Sequence, residues 1–145
     1  QKDVGQAGCR EFSSPRKEEM MDINAYWQAV LRQDAKAMRE YFWEDAYIRW
    51  HNTNEQFTVE EFIRANCEYP SQWDGEVESI AEDGEQIITA VHVWEQGGAA
   101  ASFHAVSFLK VRQGKICAVD EYWGDDGEPP QWRKEKQIGM PIRNG

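Results

Sequence analysis

The periodicity of the sequence changes at Pro70, and this change constrains the fold more than any other feature. Before Pro70, apolar residues recur at helical spacing, most clearly from Ile23 to Leu31. After Pro70, apolar and polar residues alternate in four segments separated by turn residues, namely 76–80, 86–95, 101–111 and 115–123. Helices followed by consecutive strands favour an α+β fold with an antiparallel sheet over a parallel nucleotide-binding sheet.

Three N-terminal helices are predicted before this sheet. The first can begin at Ser14-Pro15, an N-cap followed by a favoured first helical residue, and a shorter second helix follows over 35–42. Thr58-Val-Glu-Glu61 has the pattern of a capping box and predicts a third helix. This helix should end by Tyr69, because a proline disfavours helical geometry in the residue before it. Between the second and third helices, 46–50 is predicted as a short strand.

The length of 145 residues suits one domain with one principal cavity. We expect residues 1–13 to be a disordered or artificial extension, 14–130 to form the domain, and 131–145 to be a C-terminal tail. The formal charge of −10, without a basic stripe on any predicted element, disfavours nucleic acid and anionic membranes as partners. Neither a membrane span nor a signal peptide is recognised, so a cytoplasmic location is expected.

The cysteines and histidines do not form a metal-binding pattern. Cys9, Cys67 and Cys117 lack a C-x-x-C spacing and are expected to be reduced thiols. His51 and Glu55 are two scattered candidates and do not define a coordination sphere. We therefore expect neither a metal nor a cofactor.

The turns predict which residues share a face of the sheet. If Gly97-Gly98 and Gln113-Gly114 are two-residue hairpin loops, His104 lies opposite Val91 and Trp123. His104 and Glu121 then become diagonal neighbours on a largely apolar face. The residues predicted on this face are Val91, Val93, Ser102, His104, Val106, Phe108, Val119, Glu121 and Trp123.

Such a face suits a small-molecule site, because apolar walls bury the ligand while a few polar groups orient or protonate it. Burial would favour the protonated form of Glu121, and His104 could exchange a proton with it. We therefore predict Glu121 and His104 as catalytic residues. The alternative is that the two form a buried polar pair that only satisfies itself.

A shift of the register by one residue would turn the opposite face inward. The second face is also apolar, and we expect another subunit to cover it in a homodimer. Its residues are Ile88, Ala90, His92, Trp94, Phe103, Ala105, Leu109, Ile116, Ala118 and Tyr122.

The order of these elements, the Glu-Asp-Ala-Tyr-Ile entry to the first strand and the closing run Gly-Lys-Ile-Cys-Ala-Val-Asp-Glu-Tyr-Trp-Gly-Asp resemble the nuclear transport factor 2-like superfamily, in its SnoaL-like branch. The resemblance covers about residues 20–125. It implies three helices packed on a curved antiparallel sheet, which form a cone-like half-barrel with an internal pocket. The superfamily includes isomerases, cyclases, dehydratases, epoxide hydrolases and non-catalytic domains, so the fold alone does not define an activity.

The resemblance argues against the ketosteroid isomerase reaction, which needs a carboxylate base and an oxyanion hole of a tyrosine and a protonated aspartate. Tyr26 matches the tyrosine, but Trp50 occupies the position of the base and Val106 that of the second acid. Tyr26 remains a candidate hydrogen-bond donor, although a tyrosine on a buried helix face is commonly a core residue. Asn52, in the loop after the first strand, is a candidate ligand contact or a turn former.

The predicted function is a pocket for a small apolar or cyclic organic molecule, acted on by cofactor-independent acid–base chemistry such as cyclisation, isomerisation or dehydration. Glu121, His104 and Tyr26 would be catalytic. Two alternatives are a ligand-binding or sensing protein and a dimerisation module whose cavity is filled by its own side chains. The predicted substrate-binding residues are Trp50, Asn52, Val91, Val93, Ser102, Val106, Phe108 and Trp123.

Overall fold

The computed structural model describes residues 21–97 and 101–143. The predicted start of the first helix at Ser14-Pro15 and the extension over 1–13 lie outside these residues. The described elements, in chain order, are α1 (Ile23–Leu31), α2 (Ala35–Arg39), β1 (Phe42–Trp50), β2 (Glu55–Thr58), α3 (Val59–Cys67), β3 (Trp73–Asp83), β4 (Gln86–Glu95), β5 (Ser102–Arg112), β6 (Lys115–Asp125) and α4 (Gln131–Glu135).

The helices α1, α2 and α3 begin where side chains cap them. Asp22 and Asp34 each accept a hydrogen bond from a backbone N–H in the first turn of α1 and α2. The capping box of α3 is confirmed, because Thr58 and Glu61 each bind the other's backbone N–H, at 3.2 and 3.0 Å. The second helix ends earlier than predicted, since Phe42 already begins β1.

All six strands form one sheet in the order β2-β1-β6-β5-β4-β3. The predicted antiparallel meander from β3 to β6 is confirmed, and β1 joins it by pairing in parallel with β6. The predicted short strand is longer than expected, and β2 was not predicted. The α+β class is therefore confirmed, with α1 and α3 contributing buried residues to one core with the inner face of the sheet.

The predicted register between β4 and β5 is wrong by one residue. Val91 pairs with Ala105, and Val93 pairs with Phe103 rather than Ser102. The reason is the length of the connection, since β4 ends at Glu95 and β5 begins at Ser102. A two-residue hairpin loop does not span this gap.

The predicted register between β5 and β6 is also wrong, but for a different reason. Arg112 pairs with Lys115 as expected, and a β-bulge then shifts the register between Lys110 and Val111. A bulge places one extra residue in a strand and so exchanges the faces beyond it. As a result Ser107, rather than Val106, lies opposite Glu121.

These two corrections reverse the faces of β5, and the bulge also turns Ile116 of β6 into the core. Ser102, His104, Val106 and Phe108 lie on the outer face, contrary to prediction, and Val106 is 36% exposed. Of the residues predicted on the alternative face, Phe103, Ala105, Leu109 and Ile116 do lie inward, whereas His92, Trp94 and Tyr122 lie outward. The inner residues of β5 are Phe103, Ala105, Ser107 and Leu109.

The cysteines within the described residues differ in state. Cys67 is a free thiol, as expected. Cys117 is disulfide-bonded, which contradicts the expectation of a reduced thiol there.

Across residues 21–97 and 101–143, every helix is too short or too polar to cross a bilayer.

Candidate active site

A cavity of about 270 Å³ lies between the helices and the inner face of the sheet. Its walls are mostly apolar and aromatic, and this volume suits a small organic molecule. The residues that line it are Trp27, Val30, Leu31, Gln33, Trp50, Phe62, Ala65, Asn66, Tyr69, Trp73, Val93, Phe103, Ala105, Glu121, Trp123 and Asp125.

Glu121 presents a buried carboxyl group to this cavity. The residue is only 8% exposed. Its Oε1 accepts a hydrogen bond from Trp50 Nε1 at 2.8 Å, and its Oε2 accepts one from Ser107 Oγ at 2.7 Å. Burial raises the pKa of Glu121, although both hydrogen bonds work in the opposite direction by stabilising the charged form.

Sheet register explains why these three residues meet. Glu121 lies on β6 between β1 and β5, and its partners in the register are Trp50 on one side and Ser107 on the other. Side chains directly opposite one another in neighbouring strands lie on the same face. Two strands therefore each supply one donor to the carboxyl group.

Aromatic rings form the wall beside Glu121. Trp50 makes edge-to-face contacts with Phe57, Phe62 and Trp123, at centroid distances of 4.7, 6.2 and 5.3 Å. Asn52 binds the backbone of Trp123 in both directions, because its amide donates to the carbonyl and its oxygen accepts from the N–H. Asn52 therefore positions a wall of the cavity, but it is not one of the described lining residues.

Two amides lie on the helical side of the cavity. Gln33 donates to the carbonyl groups of Asn66 and Tyr69, at 2.9 and 3.0 Å. Asn66 in turn donates to the carbonyl of Val30 at 2.9 Å. These bonds join the end of α1 to the end of α3, and both amides line the cavity.

Tyr26 lies in the core beside the cavity. It is fully buried, and its ring contacts Trp27, Tyr41 and Phe42 edge to face. Its hydroxyl has no hydrogen-bond partner among the described residues. Burial, followed by the negative charge of Glu121, raises the pKa of Tyr26, so the hydroxyl stays protonated.

The structure brings four of the predicted site residues to the cavity, namely Trp50, Val93, Glu121 and Trp123. Val91 faces inward and is fully buried in the core. The predicted contact between His104 and Glu121 is wrong, because the two side chains lie on opposite faces. Ser102, Val106 and Phe108 are wrong as wall residues for the same reason.

The sequence interpretation missed several residues of the site. Trp27 belonged to the predicted buried face of the first helix, and Phe103 and Ala105 belonged to the alternative register, so these could have been found. Ser107 was recognisable only once the bulge was known. Gln33 and Asn66 gave no signal, because an amide near a helix end is usually solvent-exposed.

The family model of the SnoaL-like domain matches residues 23–119. The chain therefore belongs to the SnoaL-like domain family, within the nuclear transport factor 2-like superfamily. No curated protein matches the sequence.

Solved structures show the same fold. A protein from Kribbella flavida, provisionally described as a ketosteroid isomerase, is 22% identical with a TM-score of 0.69, over 84% of this chain and 87% of that one. A protein of unknown function from Burkholderia xenovorans is 25% identical with a TM-score of 0.68, over 83% and 92%. An epoxide hydrolase from M. tuberculosis is 13% identical with a TM-score of 0.58, over 70% and 79%.

Proposed function

We propose that the chain is a pocket enzyme of the cone-like half-barrel type, in which Glu121 transfers protons to and from a small, mostly apolar, cyclic or carbonyl-containing molecule. The reaction class is a cofactor-independent isomerisation, cyclisation or dehydration. One observation carries this proposal: a buried carboxyl group with a raised pKa faces an aromatic cavity and is held there by two side-chain donors.

The hydrogen bonds of Glu121 suit both protonation states. The Trp50 indole can only donate, so Oε1 remains its acceptor throughout. The Ser107 hydroxyl can either donate or accept, so it can donate to the carboxylate and accept from the protonated acid after rotating. The carboxyl group can thus gain or lose a proton while its position stays fixed.

The structure changes the roles that the sequence predicted for Tyr26 and His104. Tyr26 is in the core rather than on the cavity wall, so we assign it a packing role and no contact with the ligand. His104 lies on the outer face and takes no part in this site. The proposed site therefore consists of Glu121, its donors Trp50 and Ser107, and the aromatic walls.

The relatives support an enzyme but not a particular reaction. Two of them carry the names of enzymes, an isomerase and an epoxide hydrolase. We do not propose the ketosteroid isomerase reaction, because Trp50 replaces the expected base. Val106, which was predicted at the position of the second acid, points outward. The residues of β5 that do point inward include no aspartate or glutamate, so β5 supplies no second acid.

Deuterium exchange tests the proposal without the natural substrate. The probe is 2-tetralone, a bicyclic ketone with acidic hydrogens beside its carbonyl, followed by ¹H NMR in deuterium oxide. Ionised Glu121 would remove one of these protons to form the enolate and return a deuteron from solvent. We expect the protein to accelerate exchange, and Glu121→Gln to lower the protein-dependent rate roughly 100-fold or more.

Glu82→Gln is the matched control, because it makes the same change at an exposed position on β3. Its exchange rate should equal that of the unmodified chain. Equal rates for Glu121→Gln and the unmodified chain would contradict the acid–base assignment. Quenching of Trp fluorescence by 2-naphthol reports binding separately, so binding without exchange would indicate a ligand-binding protein, and no binding would indicate a dimerisation module.

We also propose a homodimer through the outer face of the sheet. Val106 and Tyr122 are large apolar residues exposed on this face, and Phe108 contacts Tyr122 there. Light scattering after size-exclusion chromatography should give twice the mass of 16.9 kDa. A monomeric mass at high protein concentration would contradict this proposal.

A further inference from the structure

The outer face carries a second group of ionisable residues, which we name the histidine cluster: Glu78, His92, His104 and Asp126. His92 and His104 are direct partners across β4 and β5, and their rings stack with centroids 4.5 Å apart and planes 5° apart. Glu78 comes from β3 and Asp126 follows β6. Four successive strands therefore bring these side chains together.

Three members of the cluster can direct ligand atoms to one point. One carboxylate oxygen of Glu78 and one ring nitrogen from each histidine all lie within 4.8 Å of one another. Glu78 lies at a register shift of β3. Its Oε2 is 3.4 Å from Nε2 of His104, which lies on β5, two strands away. Bulges commonly redirect a side chain in this way.

Asp126 fixes the ring of His104. The Nδ1–H of His104 donates to Asp126 Oδ1 at 2.5 Å, and the Ser102 hydroxyl donates to the other oxygen of the same carboxylate. When neutral, a histidine that donates through Nδ1 keeps its lone pair on Nε2, the atom that faces Glu78. Metal-binding histidines are typically oriented by a carboxylate in this manner.

The surrounding charge also suits a cation. Glu76 is the register partner of His92, so another carboxylate lies on the same strand pair. Arg143 donates to Glu78 at 2.8 Å from the C-terminal segment, and this side chain would have to leave Glu78 for a metal ion to bind. The side chain of Arg143 is 66% exposed, so it can move from Glu78 into solvent.

We propose that the histidine cluster binds a divalent transition-metal ion of the Zn²⁺ class through His92, His104 and Glu78. Two imidazoles and one carboxylate suit Zn²⁺, whereas Mg²⁺ and Ca²⁺ prefer sets made up of oxygen ligands alone. A water molecule would be the fourth ligand of the zinc ion. Asp126 positions His104 and is not itself a ligand. At zinc–ligand lengths of about 2.0–2.1 Å, tetrahedral ligand atoms lie roughly 3.4 Å apart, so the partly exposed side chains must close on the ion.

Calorimetric titration with ZnCl₂ tests this site on the untagged, chelator-treated chain at about pH 7.5, because Zn²⁺ binds neutral imidazole and so competes with protons for its ligands. We expect one ion per chain, and the Co²⁺-loaded protein should show the visible absorption of a tetrahedral site. His104→Gln and His92→Gln should each weaken Zn²⁺ binding at least tenfold. Asp126→Asn keeps all three ligands, and we expect it to weaken binding roughly 10- to 100-fold.

His51→Gln is the matched control, because it changes the remaining histidine, which lies outside the cluster beside Asp120. It should bind Zn²⁺ like the unmodified chain. Circular dichroism confirms that each variant is folded. The proposal is overturned if the unmodified chain binds no Zn²⁺, or if His104→Gln and His51→Gln bind it equally. The site lies on the opposite face from Glu121, so neither result depends on the proposed enzyme activity.

Discussion

Glu121 lies on β6 and Asp126 directly follows this strand, five residues further along the chain, and each accepts a hydrogen bond from a serine of β5. They differ in their surroundings. Burial raises the pKa of Glu121 despite its hydrogen bonds from Ser107 and Trp50. Burial also acts to raise the pKa of Asp126, but the bonds from Ser102 and His104 and the charges of two histidines together lower it.

The comparison shows that a similar hydrogen bond from a serine to a carboxylate occurs in two sites with different chemical properties. On the inner face burial outweighs the two donors to Glu121, so the carboxyl group holds its proton to a higher pH than a free glutamate. On the outer face Asp126 is held as an anion, and it raises the pKa of His104 in return. The first arrangement suits proton transfer and the second suits holding a cation.

The largest difference between the two faces should appear when each serine is replaced by alanine. Ser107→Ala leaves a buried carboxyl group without one donor and should lower the free energy of unfolding by about 1–3 kcal/mol. Ser102→Ala removes a bond on the more exposed side and should cost about 0.5 kcal/mol. Urea unfolding measures both. Equal losses would show that burial does not distinguish the two carboxylates.

A second pair of variants tests which face contains the cavity. Ala105 lines the cavity, whereas Ala90 is the outer-face partner of Val106. Ala105→Leu should fill part of the cavity and weaken 2-naphthol binding about tenfold, or about 1.4 kcal/mol. Ala90→Leu makes the same change on the other face and should leave the dissociation constant unchanged. The reverse result would mean that the sheet register is wrong.

The smallest effect is a difference in pH dependence. Because the pKa of Glu121 is raised in the folded chain, its contribution to stability is present below the unfolded value of about 4.5 and is lost as pH rises through the folded pKa. The melting temperature of Glu121→Gln relative to the unmodified chain should therefore rise from about pH 4 to about pH 8.

Asp126→Asn should behave in the opposite way when measured with a chelator present. The lowered pKa of Asp126 gives stability that is present above about 3.8 and is lost as pH falls through the folded pKa. The variant should be less stable than the unmodified chain at neutral pH, and this difference should disappear in acid. Parallel pH profiles for the two variants would contradict the comparison.

Local signals in the sequence were sufficient for most of the elements, although not for β2 or α4. The helical spacing from Ile23 to Leu31 and the Thr58–Glu61 capping box depend on neighbouring residues, and both are confirmed. Glu121, Trp50 and Trp123 were also placed on the inner face correctly. Each of them lies on β1 or on the part of β6 beyond the bulge, where the predicted face was right.

The faces of β5 could not be predicted, because they depend on a loop length and a bulge. The two errors placed His104 inward beside Glu121, although it pairs with His92 on the outer face. Because of the same errors, neither the contact of Ser107 with Glu121 nor the histidine cluster was predicted. The amides of Gln33 and Asn66 reach the cavity through tertiary contacts between α1 and α3, which no local pattern encodes.

The most direct test of the central claim is a ¹³C NMR titration of the glutamate carboxyl groups. The signal of Glu121 is identified by its absence from Glu121→Gln. We predict that this signal titrates above the reference pKa of 4.5, and that Ser107→Ala moves it higher still, because a bond that stabilises the anion is lost. Titration at or below 4.5 would contradict the account, since Glu121 would then be an ordinary ionised carboxylate in the cavity.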